Sequence, residues 1–179
     1  MNSQTNNPSD SKQMTNRNQI MENVLKIQDL IGLLTEKYHG NVVIGGSAAL
    51  ILHGLSLSRP INDIDIILYN PKDEQLAVLN TLKAVDSVNS SFGYGDRRVI
   101  KLLVNEVNVD IIVSHETLPS NLLLHPISSP QFKGLFIQSI DEVIKAKISY
   151  TLDKDERQLN IYRRTKDFAD LLDLKNSNF

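Results

Sequence analysis

Three acidic side chains interrupt apolar runs where carboxylates are costly: Asp63 and Asp65 in Ile61-Asn62-Asp63-Ile64-Asp65-Ile66-Ile67, and Asp110 in Val107-Asn108-Val109-Asp110-Ile111-Ile112-Val113. Successive side chains of a strand point to opposite faces, so Asp63 and Asp65 project together while Ile64, Ile66 and Leu68 line the other side. Two ionised carboxylates on one face repel, and they are expensive to bury unless paired or bound to a cation. Mg²⁺, which takes oxygen ligands and usually keeps waters and substrate phosphates, would resolve that conflict. In the second run Val107, Val109, Ile111 and Val113 share a face, and Asn108, Asp110 and Ile112 share the other.

The elements that must position these groups can be read around them. An apolar run, Val42-Val43-Ile44, ends in Gly45-Gly46-Ser47; a short apolar helix, Ala48–Leu52, closes with His53-Gly54; a polar connection with Arg59-Pro60 leads into the Asp63 strand. Gly45-Gly46 permits a tight turn and the close approach of a ligand. Ser47 is placed to cap the following helix, whose free N–H groups and dipole favour a phosphate.

The stretch GGSAALILHG…R…DIDI resembles the active-site signature of the DNA-polymerase-β-like nucleotidyltransferase superfamily, a Gly-Ser turn followed by Asp-x-Asp. Its form is most similar to the AbiEii-type branch, toxins of abortive-infection and toxin–antitoxin pairs. The resemblance implies that Asp63 and Asp65 hold metal ions and that the turn, Gly45, Gly46 and Ser47, holds nucleotide phosphates. It also implies a third metal carboxylate on a neighbouring strand, a setting that only Asp110 has here. Lys147 and the run Arg164-Thr165-Lys166-Asp167-Phe168-Ala169-Asp170-Leu171 match segments that shape the family's nucleotide pocket, which brings in Lys147 and Lys166; Arg59 is open between a carboxylate and a phosphate partner. Implied with it are an α/β (α+β) nucleotidyltransferase fold, two Mg²⁺ ions (or Mn²⁺), an NTP, an RNA or tRNA acceptor and a cognate antitoxin. Other branches use small-molecule acceptors such as antibiotics.

Two rival readings belong to other classes. Gly45-Gly46-Ser47-Ala48-Ala49 is a near miss to the hydrolase elbow Gly-x-Ser-x-Gly, with Ala49 in place of the last Gly. A non-catalytic module of the same fold would bind NTP or RNA without releasing pyrophosphate, against which the three intact carboxylates argue. Walker A and dinucleotide fingerprints are absent, and His39, His53, His115 and His125 show no metal-ligand spacing.

Composition bounds the rest. A chain of 179 residues suits one domain, or one with a small appendage. The net charge of −2 announces no global affinity for nucleic acid, so such contacts must be local. With no cysteine there is no disulfide, thiolate zinc site or cysteine nucleophile. No signal-peptide core or bilayer-length apolar run is present, so a cytoplasmic protein is expected.

Three regions are expected: a polar tail over 1–18, a catalytic core over 19–138 and C-terminal helices over 139–179. Ile20, Val24, Ile27, Ile31, Leu34 and Tyr38 recur at helical spacing, with Gly40 as a stop. A helix over Asp73–Val85, a loop over Ser87–Asp96 and a hairpin of Arg98–Val104 with Glu106–Val113 about Asn105 follow. Pro119–Pro130 reads as a loop and Gln131–Gln138 as a short strand. The helix Asp141–Leu152 carries Ile140, Ile144, Ile148 and Leu152 on one stripe, with Lys147 beside Val143 on a neighbouring one. The last helix, Leu159–Leu174, is expected to pack Phe168, Leu171 and Leu172 and to present Arg163, Lys166, Asp167 and Asp170 as a charged face.

Overall fold

The computed structural model describes residues 8–35, 42–82, 86–90, 97–115, 135–152 and 160–177. Its centre is set by the alternation in two strands. In β2 (Asp63–Tyr69), Ile64, Ile66 and Leu68 are fully buried; in β5 (Val107–Ser114), Val107, Val109, Ile111 and Val113 are buried as well. The two strands pair in parallel, so both apolar faces turn to the same side.

β1 (Val42–Ile44) runs antiparallel to β2 and parallel to β6 (Leu135–Ile137). On the other edge, β4 (Arg97–Val104) runs antiparallel to β5, and β3 (Asp86–Ser90) antiparallel to β4. The described strands thus form one mixed sheet in the order β3-β4-β5-β2-β1-β6. The β4–β5 hairpin turns on Asn105 and Glu106, both at positive φ (48° and 68°), which matches the right-handed twist of the strands it joins.

Helices cover the apolar face. α1 (Pro8–Lys26) and α2 (Gln28–Thr35) break at Ile27, yet Ile20, Val24, Ile27, Ile31 and Leu34 remain one buried stripe. They join α3 (Gly46–Leu52), Val143 of α5 (Ile140–Leu152) and Leu174 of α6 (Asn160–Asn176) in the main core. α4 (Asp73–Thr81) adds Leu79. On the opposite sheet face Val43, Ile67 and Tyr69 form a smaller cluster with Ile112 and Phe136. The chain is therefore a mixed α/β domain, and none of its described helices is long and apolar enough to cross a membrane.

Several local expectations need correction. α1 begins at Pro8, so the last part of the anticipated tail is helical; a proline in the first turn sacrifices no helical hydrogen bond. Asp86–Ser90 is a strand, although it was expected to be mostly loop, because β4 supplies the pairing that its polar side chains do not advertise. α4 stops at Thr81, with Leu82 already extended. Tyr38, Gly40, the Pro119–Pro130 loop and residues 131–134 lie outside the described residues.

The last helix is rotated from its expected orientation, and α5 differs only in part, since its Ile140 and Ile144 pack against the core as expected. On α5, Val143 and Lys147 are the buried residues and Ile148 is exposed. On α6, Phe168 is 57% exposed and Leu172 is exposed too, while Asp167 and Asp170 are buried. Asp167 and Asp170 of the expected charged face thus point inward, while Leu171 packs against the core as expected.

Candidate active site

The parallel register of β2 and β5 sets Asp65 beside Asp110 and Asp63 beside Asn108. All three carboxylates lie on the sheet face away from the main core, each partly buried. Neighbouring strands are about 4.8 Å apart, so Asp65 and Asp110 stand side by side. The row extends one strand further. Lys101 on β4 pairs across from Asp110, with its Nζ 3.0 Å from Asp110 Oδ2.

The glycine turn closes the row on the other side. The Gly45 N–H donates to the Asp65 carbonyl at 2.9 Å. Gly46 has φ +61°, and a Cβ there would run into the Asp65 carboxylate. A Cβ on Gly45 would stand 2.7 Å from Ile67 Cδ1 and 2.8 Å from Gln138 Oε1. Gly46 is thus fixed by its backbone conformation and by Asp65, whereas a Cβ on Gly45 would press on the ends of two flexible side chains. Gln138, just past β6, receives the Gly46 N–H on its Oε1 at 3.2 Å and donates its own N–H to Ile44 O at 2.8 Å.

Ser47 does not cap α3; the N-cap is Gly45, which has no side chain to offer, and Ser47 lies in the first turn. Its hydroxyl donates to Asp170 Oδ2 at 2.7 Å, and accepts from Arg59 Nη2 at 2.6 Å and from Lys147 Nζ at 3.2 Å. Asp170 is the hub of this group. Arg59 donates to it through Nε and Nη2, at 2.7 and 2.6 Å, and Lys147 Nζ lies 2.8 Å from Oδ2. Lys147 also reaches Asp167 Oδ1 at 2.8 Å. Asp173, one turn on, accepts the Ser58 N–H at 2.7 Å and pins the same loop.

This hub explains the rotation of α6. Burying Phe168 would bring roughly 1.5–3 kcal/mol. A buried cation deprived of its carboxylate costs roughly 3–5 kcal/mol, and Asp170 serves two cations. The charges therefore decide which face turns in. Arg59 finds a carboxylate, and the stem of Lys147 runs through the core side of α5 as its position beside Val143 suggests.

Lys166 points elsewhere. Its Nζ lies 3.1 and 3.2 Å from the two oxygens of Asp63, so α6 reaches the carboxylate row as well as the hub. Among the described residues, no three His, Asp or Glu side chains converge as a metal cage in their present positions.

Electrostatics follow from this layout. Burial, then the neighbouring Asp63 charge and more weakly Asp110, push the Asp65 carboxyl up to about 6, against the pull of Lys166 and Lys147. For Asp170 burial acts upward, but the hydrogen bond from Arg59, the Lys147 charge and hydrogen bonds from Lys147 and Ser47 outweigh it and hold the carboxyl below its usual range.

Every expected site residue thus falls into one of two adjoining groups. Asp63, Asp65, Asp110, Gly45, Gly46 and Lys166 form the carboxylate face; Ser47, Arg59 and Lys147 join Asp167 and Asp170 in the hub. Lys101 and Gln138 were not foreseen. For Lys101 the signal was present, since a two-residue turn at Asn105-Glu106 sets Val104 opposite Val107 and hence Lys101 opposite Asp110. Gln138 lies far along the chain from the turn it braces, with nothing local to mark it.

No protein-family model and no curated protein sequence matches this chain.

Proposed function

We propose that this chain is a metal-dependent nucleotidyltransferase that moves a nucleoside monophosphate from an NTP to an acceptor hydroxyl, with RNA, such as a tRNA 3′ end, as the acceptor and an AbiEii-like toxin role. The observation that carries the reading is the register of β2 and β5, which aligns Asp65 with Asp110 on the face that also bears Asp63, beside a turn in which residue 46 must lack a side chain.

As they stand, the three carboxylates do not converge on a common ion position. Asp63, Asp65 and Asp110 offer hard oxygen donors on one face, and lysine ammonium groups already neutralise the outer two at 3.0–3.2 Å. In this reading Asp63, Asp65 and Asp110 would have to close around a Mg²⁺ or Mn²⁺ ion, whose chemistry would be charge neutralisation of the triphosphate and acidification of the acceptor hydroxyl. The acceptor oxygen bonds to the α-phosphorus as the bond to the bridging β-phosphate oxygen breaks, and pyrophosphate leaves. Asp110, or a water beside it, takes the hydroxyl proton. Lys166, partly exposed beside Asp63, supplies positive charge to the departing phosphates. Ser47, Arg59 and Lys147 keep the glycine turn against Asp65 through Asp170, which makes them positioning residues in this scheme.

The test is incubation with each α-labelled NTP, Mg²⁺ and total RNA. Wild type is expected to label an RNA acceptor, and Asp63→Asn and Asp65→Asn to lose the label while remaining folded. Equal labelling by both variants overturns the proposal.

A further inference from the structure

We infer that the side-chain amide of Gln138 is a nucleotide-binding group: its Oε1 fixes the glycine turn, and its Nε2 hydrogens donate to an oxygen of the bound nucleotide. The inference rests on the nucleotidyltransferase reading above and changes which donor meets the nucleotide at the turn.

Donors of the turn itself are engaged inside the protein. The Gly45 N–H goes to the Asp65 carbonyl at 2.9 Å, the Gly46 N–H to Gln138 Oε1 at 3.2 Å, and the Ser47 hydroxyl to Asp170 Oδ2 at 2.7 Å. A ligand oxygen received by any of these must first break a bond already made. Gln138 offers a donor without that loss.

The residue is 7% exposed and tied on several sides. Its N–H donates to Ile44 O at 2.8 Å, its carbonyl accepts from His53 Nε2 at 2.9 Å, and its Oε1 accepts from Gly46. Gly46 opens α3 and His53 is its C-cap, so one residue holds both ends of that helix. The Gly46 N–H can meet only an acceptor, so Oε1 faces the turn and Nε2 points away from it. No acceptor among the described residues takes the Nε2 hydrogens, and that atom is open to water. The carboxamide stands with Ile67 against Gly45, and Ile67 shares its sheet face with Asp65. A donor held in this way binds without first losing rotamer freedom.

The experiment is calorimetric titration of the full chain, with Mg²⁺ present, by each NTP, each nucleoside and tripolyphosphate. Gln138→Glu keeps an oxygen for the Gly46 N–H and removes only the Nε2 donors; Gln138→Met removes both at similar length. Wild type is expected to bind at least one NTP, and both variants to bind it about tenfold more weakly or worse. A parallel loss for tripolyphosphate places the oxygen on a phosphate, and a parallel loss for the nucleoside places it on the sugar or base. In isotope-labelled wild type the side-chain N–H pair of Gln138, identified by its loss in Gln138→Glu, should shift on saturation with that NTP; this measurement stands even if Gln138→Met folds poorly. Unaltered NTP affinity in Gln138→Glu, or an unmoved N–H pair, overturns the donor role and leaves the nucleotidyltransferase reading standing. Absence of NTP binding by wild type overturns both.

Discussion

The carboxylate of Asp65 fills the space that a side chain on residue 46 would need. The contact joins the turn after β1 to the middle of the acidic row, and the Gly45 N–H bonded to the Asp65 carbonyl holds the two backbones at that spacing. A glycine at 46 is thus fixed twice, by its φ of +61° and by the carboxylate it faces.

Gly54 provides the comparison. It too has positive φ, 90°, but nothing lies within 4 Å of a Cβ built there. Gly54→Ala should cost about 1–2 kcal/mol for backbone strain alone. Gly46→Ala should cost a further 1–3 kcal/mol or so because Asp65 must also move. Urea unfolding of the two variants measures the difference; equal losses would remove the collision from the account.

Asp170 should be the most sensitive of the buried acids. Asp170→Asn leaves Arg59 and Lys147 short of a counter-charge, and a loss of about 3–5 kcal/mol near neutral pH is expected. The pH dependence has a definite sign. Because the folded carboxyl is held below its usual range, the unfolded chain takes up the proton first as pH falls. The contribution is full above about pH 4 and is lost as pH drops through the folded value. Chemical denaturation of wild type and variant between pH 7 and pH 3 should show the gap closing only at the acidic end.

Asp65 has the opposite sign. Its carboxyl is raised to about 6, so between about pH 4 and 6 the folded, ion-free chain holds a proton that the unfolded chain has released. That advantage is full at the acid end and disappears as pH rises through about 6; Asp65→Asn should flatten this part of the stability profile. Under the proposed metal role the ion requires the ionised form, and Mn²⁺ affinity at pH 5 should be about tenfold below that at pH 7. A flat affinity over this range would mean that Asp65 either does not bind the ion or does not have its carboxyl raised.

The orientation of α6 can be tested by truncation. Phe168→Ala should change stability by less than about 0.5 kcal/mol, since the ring is mostly in water. Leu174→Ala should cost about 2–5 kcal/mol, because Leu174 is part of the main core. The reverse order would mean that the helix turns its apolar face inward.

What the sequence made legible follows from the range of each interaction. Asp63 and Asp65 could be placed on one face because strand alternation is local, and the β4–β5 hairpin could be found from residues adjoining its turn. The helical stripe from Ile20 to Leu34 was visible for the same reason, although not its break at Ile27. The orientation of α6 is not legible locally, because its own apolar residues favour burial of Phe168 and Leu172. The residues that overrule them, Ser47 and Arg59, lie 123 and 111 positions away from Asp170. Ser47 reads as a cap on local grounds, while its hydroxyl answers to that same distant acid. β3 went unseen because its five residues owe their strand form to β4.

Asp170 also dictates an order of events during synthesis. Arg59 and Lys147 emerge from the ribosome well before α6, so the nascent chain carries two cations destined for the interior without the acid that neutralises them. Until that helix docks, the Gly45–Ser47 corner has no anchor of this kind, and the sheet can assemble ahead of it. Completion of the carboxylate face is thereby tied to the last described helix, so a released fragment ending near residue 155 should lack the Lys166–Asp63 pair and leave Arg59 and Lys147 without Asp170.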